Sequence, residues 1–127
     1  MRELLSNELF RLTVDDDVAR LTRTATPPPE PAEMAASYVT LSAALRRSGA
    51  RRLLLDLRGG PPGRNDPEFE RAGEEFRNSL VDGFDRVAIL VRTAVGKLHI
   101  QRLGREVGRA PAIFMDEGEA LAFLRQP

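Results

Sequence analysis

A short apolar run constrains the fold of this chain more than any other feature. Residues 53–57 read Leu-Leu-Leu-Asp-Leu, without the alternation that a half-exposed strand would show. A strand of this composition is typically covered on both faces, as in a parallel sheet. A second such run spans 87–91, and a helical pattern of apolar residues from Phe69 to Phe84 lies between the two runs. Together these segments predict a β-α-β unit with parallel strands.

Strands and helices alternate on both sides of this unit. Upstream, residues 8–14 and 18–24 flank an acidic turn and predict an antiparallel hairpin. A helix over 32–48 follows the hairpin, because apolar residues recur there at helical spacing. Downstream, the pattern predicts a helix over 94–107, a short strand over 112–115 and a final helix.

The predicted order of elements is β-β-α-β-α-β-α-β-α. It corresponds to a single α/β domain over residues 1–127, with a mixed, mostly parallel sheet of four or five strands flanked by helices. Five residues are predicted to mark helix ends. Gly49 is a left-handed stop, Pro67 lies in a first turn, Thr93 and Asp116 are N-terminal caps, and Gly108 closes the third helix.

The composition excludes several classes of function. The chain has no cysteine and a single histidine, which excludes disulfides, thiolate or multi-histidine metal sites and a cysteine nucleophile. Its formal net charge is zero, so a nucleic-acid partner is not expected. No metal and no cofactor is predicted. The N-terminal residues do not resemble a signal peptide and no apolar run is long enough for a membrane span, so a cytoplasmic location is expected.

Three segments of the chain are similar to a known bacterial family. They are the strand at 53–58, the strand at 87–91, and the ending at 114–124, where an acidic cap precedes a helix that reads Glu-Ala-Leu-Ala-Phe-Leu. Together with the order of elements, they resemble the SpoIIAA-like branch of the STAS-like superfamily, the fold of bacterial anti-sigma-factor antagonists. The resemblance extends from about residue 8 to residue 125. It implies a STAS-like binding or regulatory domain.

One departure from this family concerns phosphorylation. The antagonists carry a phosphorylatable serine in the segment that follows the central strand. The corresponding segment here, residues 59–67, contains neither serine nor threonine. Phosphorylation of this loop is therefore not expected.

The loop after the central strand is the first candidate binding site. It lies at the carboxyl end of a predicted parallel strand, where open α/β sheets bind ligands. Its candidate residues are Gly59, Gly60, Arg64 and Asn65. The sequence Gly-Gly-Pro-Pro-Gly lacks the spacing of a phosphate-binding P-loop, and the alternative interpretation is a plain connector.

Two further sets of polar residues are candidates. Asp56 and Arg58 end the central strand, where Asp56 is either a functional carboxylate or the partner of a neighbouring arginine. Arg92, Thr93 and Lys97 surround the start of the third helix, whose positive end attracts anions. The alternative for this second set is a solvated basic face balanced by the acidic second helix.

The sequence thus predicts a non-catalytic binding or regulatory module. Its ligand is expected to be a protein partner or a small anionic or lipid-like molecule. Two alternatives stay open, namely a small enzyme that uses Asp56 and Arg58, and a subunit whose only role is oligomerisation. Missing cysteine, a single histidine and the lack of a paired acid–base motif weigh against the enzyme.

A homodimer is also predicted. The hairpin is expected to provide an edge strand that carries Phe10 and Leu12, which would offer an apolar surface for pairing. The competing interpretation is that Arg11, Arg20 and Arg23 protect this edge and keep the chain monomeric.

Overall fold

Six strands and four helices make up the part of the chain that the structure describes. The computed structural model describes residues 2–27, 29–60, 67–106 and 112–127. The strands are β1 Arg2–Ser6, β2 Phe10–Asp15, β3 Val18–Arg23, β4 Arg52–Asp56, β5 Arg86–Leu90 and β6 Ala112–Phe114. The helices are α1 Pro31–Ser48, α2 Pro67–Gly83, α3 Ala94–Glu106 and α4 Glu117–Leu124.

The strands form one mixed sheet in which they lie side by side in the order of the chain. Pairing is antiparallel between β1, β2 and β3, and parallel between β3, β4, β5 and β6. The predicted parallel arrangement of the strands near 53–57, 87–91 and 112–115 is therefore confirmed. An α/β architecture with helices flanking a mixed sheet is confirmed as well.

The direction of the crossovers determines which face of the sheet each helix covers. Strands β3 to β6 advance across the sheet in one direction, and β-α-β connections are almost always right-handed. The three crossover helices α1, α2 and α3 consequently share one side, which we call the first face. Helix α4 follows the last strand and packs on the opposite side, the second face.

Alternate residues of β4 contribute to two separate cores. Leu53 and Leu55 belong to the large core of the first face, to which all three crossover helices contribute. Leu54 belongs to a smaller core on the second face, where it packs with the buried Ala120 and Leu124 of α4. Coverage of both faces explains why the central strand lacks polar alternation.

The sequence prediction missed β1. The sheet has six strands instead of four or five, and the observed order begins β-β-β. The segment reads Arg-Glu-Leu-Leu-Ser, which lacks a period-two pattern, and its pairing with β2 shifts register between Glu3 and Leu5. Asn7 makes the turn into β2, since its side-chain oxygen accepts hydrogen bonds at 2.8 Å from the backbone N–H groups of Leu9 and Phe10.

The strand that was predicted to lie at the edge is an interior strand. β2 lies between β1 and β3, and both Phe10 and Leu12 are buried in the core of the first face. The expectation that these two side chains form a pairing surface at a sheet edge is therefore wrong. A homodimer of this chain would have to use a different surface.

Four predicted helix ends agree with the structure, and Gly108 lies outside the described residues. Gly49 follows α1 with a φ of 73°, and Pro67 is the first residue of α2. The side chains of Thr93 and Asp116 each accept a hydrogen bond from the backbone N–H three residues further on, at 3.0 and 2.9 Å respectively. Within the described residues, no helix is long and apolar enough to cross a membrane.

Candidate functional site

A buried carboxylate lies at the carboxyl end of the central strand. Asp56 is the last residue of β4, and its side chain is only 5% exposed. The alternation of side chains along β4 turns it, like Leu54, towards the second face. A charge buried to this degree is costly unless it is paired and hydrogen-bonded. Its neighbours therefore determine what this carboxylate can do.

Two arginines neutralise Asp56. Arg58 donates to Oδ1 from its backbone N–H and from Nε, both at 3.1 Å, and to Oδ2 from Nη2 at 2.9 Å. Arg20 donates to Oδ2 from Nη2 at 2.8 Å. Parallel pairing of β3 with β4 puts Arg20 opposite Leu54, which brings its guanidinium beside the carboxylate. Both oxygens of Asp56 are thus occupied.

A second carboxylate joins the two arginines from the outside. Glu117 is the first residue of α4, and its Oε1 accepts from Arg20 Nη2 at 2.5 Å and from Arg58 Nη2 at 2.9 Å. Its side chain is 39% exposed, in contrast to that of Asp56. The four residues, which we call the charge cluster, form a ring in which guanidinium nitrogens alternate with carboxylate oxygens.

The electrostatics of the charge cluster favour the charged form of every member. Burial alone would raise the pKa of Asp56, but hydrogen bonds from Arg58 and Arg20 outweigh burial and hold this pKa below its ordinary value. The hydrogen bond from Arg20 is the main reason that the pKa of Glu117 is lowered. Burial would lower the pKa of Arg20, yet its bonds to Glu117 and Asp56 give a net rise. The hydrogen bond to Asp56 raises the pKa of Arg58.

The charge cluster is better suited to holding an oxyanion than to moving a proton. A general acid or base needs a pKa near the working pH and a free atom that faces the substrate. Asp56 has a lowered pKa and two occupied oxygens. The side chains of Arg20 and Arg58 are about one-third exposed, and their guanidiniums are planar forks of N–H donors, which match the oxygens of carboxylates and phosphates.

The two glycines after β4 are explained by packing. A Cβ on Gly59 would lie 3.2 Å from the carbonyl oxygen of Arg23, and a Cβ on Gly60 would lie 3.0 Å from the Cγ of the same arginine. Arg23 is buried, and its guanidinium donates to three backbone carbonyl oxygens. Burial lowers the pKa of this guanidinium. The close crossing of the turn over Arg23 accounts for both glycines.

The remaining candidate residues are either outside the described ranges or apart from the charge cluster. Arg64 and Asn65 lie outside the described residues. Arg92 and Thr93 are exposed after β5, and the Lys97 backbone N–H donates to the carbonyl of Thr93 in the first turn of α3. In the described portion of the chain, no hydrogen bond or ion pair links these three residues to the cluster.

The sequence interpretation missed Arg20 and Glu117. Sequence reasoning places Arg20 only among the arginines that could protect the edge of the hairpin, and it gives Glu117 no role. The signal that could have found Arg20 is the alternation of β3, which turns it to the same face as Asp56 once β3 is placed beside β4. Glu117 carries no comparable signal, because nothing in the sequence fixes the face on which α4 packs.

The positions of possible metal ligands offer no site for an ion in the described ranges. Within the ranges that the structure describes, no group of three or more histidine, cysteine, aspartate or glutamate side chains is placed to hold an ion. The two carboxylates of the charge cluster are each bonded to arginines.

Comparison with known proteins gives no match. No protein-family model, no curated protein and no solved structure matches this chain. The similarity of its sequence to the SpoIIAA-like branch therefore stays a hypothesis, and function has to be argued from the charge cluster itself.

Proposed function

We propose that this chain is a non-catalytic binding module that recognises an anionic group through Arg20 and Arg58. The observation that carries the proposal is that these two arginines already hold a carboxylate, Glu117, at the surface of the molecule. The cluster lies at the carboxyl end of parallel strands, the edge at which open α/β sheets bind ligands. The guanidinium N–H donors of the cluster are suited to binding the oxygens of an anionic group.

A catalytic role for Asp56 and Arg58 has less support. An enzyme built on this pair would need the carboxylate to accept or release a proton. Arg58 and Arg20 occupy both oxygens of Asp56 and lower its pKa, which removes that ability near neutral pH. The same bonds leave the carboxylate no free lone pair directed at solvent for a nucleophilic attack.

The proposal agrees with the resemblance to the STAS-like superfamily. From β3 onward, the order of strands and helices is the order on which that resemblance rests. A regulatory module of the bacterial cytoplasm that binds a protein or a small anionic ligand is the corresponding hypothesis. Under it, the charge cluster would be the point of contact with the anionic group of that ligand or partner.

A titration with simple anions tests the proposal. We expect inorganic phosphate and sulfate to bind the purified protein in calorimetry at constant ionic strength, because both present oxygens to the two guanidinium forks. Arg58→Gln should weaken binding at least about tenfold, which is ~1.4 kcal/mol. Arg51→Gln is the matched control, since Arg51 is an exposed arginine that pairs only weakly with the exposed Asp85. Equal binding by the two variants would reject the proposal.

A further inference from the structure

Glu117 occupies the place that a ligand of the charge cluster would take. This inference rests on the proposed function and concerns how the same site is controlled. Arg20 Nη2 and Arg58 Nη2 converge on one atom, Glu117 Oε1, at 2.5 and 2.9 Å. We infer that Glu117 is a built-in competitor, and that a phosphate group binds by displacing its carboxylate from the two arginines.

The two carboxylates of the cluster differ in how easily they can leave. Asp56 is buried, is fixed to β4, and accepts a backbone N–H from Arg58 in addition to the guanidinium bonds. Glu117 is partly exposed, and its described bonds within the cluster all use one oxygen. Its longer side chain also has more rotamers to gain when it is released. Glu117 is therefore the member that a ligand displaces, and Asp56 stays in place to orient the arginines.

The charges of the cluster determine which class of anion can displace the carboxylate of Glu117. The two arginines and two carboxylates cancel, so departure of Glu117 leaves one net positive charge. A tethered carboxylate competes at an effective concentration in the millimolar range or above, so a free monoanionic carboxylate gains nothing by replacing it. A phosphate group carries about −1.5 to −2 charges at neutral pH and three acceptor oxygens, which lets it engage both forks. The expected ligand class is accordingly a phosphate group, either free or on a monoester.

The test compares Glu117→Gln with wild type by calorimetry. The variant keeps the size of the side chain and removes the competing charge, so we expect it to bind inorganic phosphate about three- to tenfold more tightly. Glu119→Gln is the matched control, because it removes the same charge from the first turn of the same helix, and we expect its affinity to equal that of wild type. Acetate should bind wild type more weakly than phosphate does.

The outcomes separate this inference from the proposed function. If phosphate binds wild type and Glu117→Gln equally, the inference is overturned while the binding module stands. If phosphate binds neither protein, both are rejected. Acetate that binds as tightly as phosphate also overturns the inference. O-phosphoserine distinguishes the two sources of a phosphate group. If the protein binds O-phosphoserine more tightly than inorganic phosphate, the ligand is a phosphorylated side chain. If it binds O-phosphoserine more weakly, the ligand is free phosphate.

A measurement on wild type keeps the inference open to test even if Glu117→Gln fails to fold. The carboxyl carbon of Glu117 can be followed by NMR at neutral pH while phosphate is added. Displacement from Arg20 and Arg58 should move its chemical shift towards that of an exposed glutamate carboxylate. A chemical shift that phosphate does not change, at concentrations that saturate binding, would contradict displacement.

Discussion

At the scale of single residues, the pairing of charges around Asp56 is the feature on which stability should depend most. Burial of a carboxylate is unfavourable by itself, and the arginines compensate for it only as long as they are present. Arg20 and Arg58 keep about one-third of their side-chain surface exposed, so they can regain hydration if a partner is lost. The cluster therefore fixes geometry more than it adds net stability.

Replacing the buried carboxylate should destabilise the fold. We expect Asp56→Asn to lower the free energy of unfolding by about 2–4 kcal/mol, because each arginine loses the buried one of its two carboxylate partners and the backbone N–H of Arg58 loses a charged acceptor. Urea denaturation at neutral pH measures the change. Asp85→Asn removes an aspartate from an exposed ion pair and should cost less than about 0.5 kcal/mol. Similar decreases in the free energy of unfolding of the two variants would contradict a larger contribution from Asp56.

Sequence reasoning reached half of the charge cluster. The pair of Asp56 and Arg58 is visible because the two residues are neighbours at the end of a recognisable strand. Arg20 is 36 residues from Asp56, and Glu117 is 59 residues from Arg58. Contacts over such distances depend on which strands are adjacent and on which face each helix covers. Local patterns contain neither fact for β3 and α4.

At the scale of elements, α4 depends on the charge cluster at one end and on apolar packing at the other. Its first residue, Glu117, bonds to Arg20 and Arg58, while Ala120 and Leu124 pack on the second face of the sheet. With eight residues, the helix is too short to be stable by itself. Attachment to the sheet therefore keeps it folded.

Low pH should weaken the attachment of α4, because the pKa of Glu117 is lowered in the folded protein. A carboxyl whose pKa is lower in the folded than in the unfolded protein adds stability above its ordinary pKa, here 4.5. That contribution disappears as the pH falls below 4.5 and passes through the lowered folded-state value. We expect the free energy of unfolding of wild type to fall in this range, and that of Glu117→Gln to fall less. Urea denaturation over a pH series provides the comparison.

The control for the acid series is Glu119→Gln, which removes a carboxylate from the first turn of the same helix and leaves Glu117 in place. The pKa of Asp56 is lowered as well, and Asp56 is present in all three proteins. Part of the decrease in the free energy of unfolding at low pH will therefore remain in each of them. A curve for Glu117→Gln that runs parallel to wild type would argue against a role for this carboxylate in holding α4.

Elements with strong periodicity or marked ends were predicted from the sequence, and β1 was not. The helices α1, α2 and α3 were predicted close to their observed bounds, because apolar stripes and residues such as Gly49 and Pro67 mark them. β1 has neither alternation nor a flanking glycine or proline. Its pairing with β2 comes from the turn at Asn7, and a turn of that kind becomes visible only when the hydrogen bonds are known.

At the scale of the whole molecule, the exposed apolar residues indicate where a second copy could bind. Val95 and Leu98 on α3 are 77% and 60% exposed, and Met115 after β6 is also exposed. α3 packs beside β6, which is an edge strand of the sheet. The edge of a sheet can pair with a second copy of the chain. The sequence predicts a homodimer, and we propose the α3–β6 side as its interface in place of the hairpin.

Light scattering at micromolar concentration tests the dimer. We expect wild type to have the mass of two chains and Leu98→Glu to have the mass of one, because a buried charge at the interface would prevent association. Val39→Glu introduces the same charge at an exposed apolar position on α1 and should leave the mass at two chains. A wild-type mass of one chain would reject the dimer. A mass of two chains for Leu98→Glu would place the interface elsewhere.

The strict correspondence between strand order and chain order has a consequence for synthesis on the ribosome. Each strand from β2 to β6 pairs with the strand made immediately before it. As a nascent chain leaves the exit tunnel from its N-terminus, each of these strands therefore emerges after its partner has already been made. Of the described elements, α4 emerges last, and with it Glu117, so Arg20, Asp56 and Arg58 are made before their outer carboxylate.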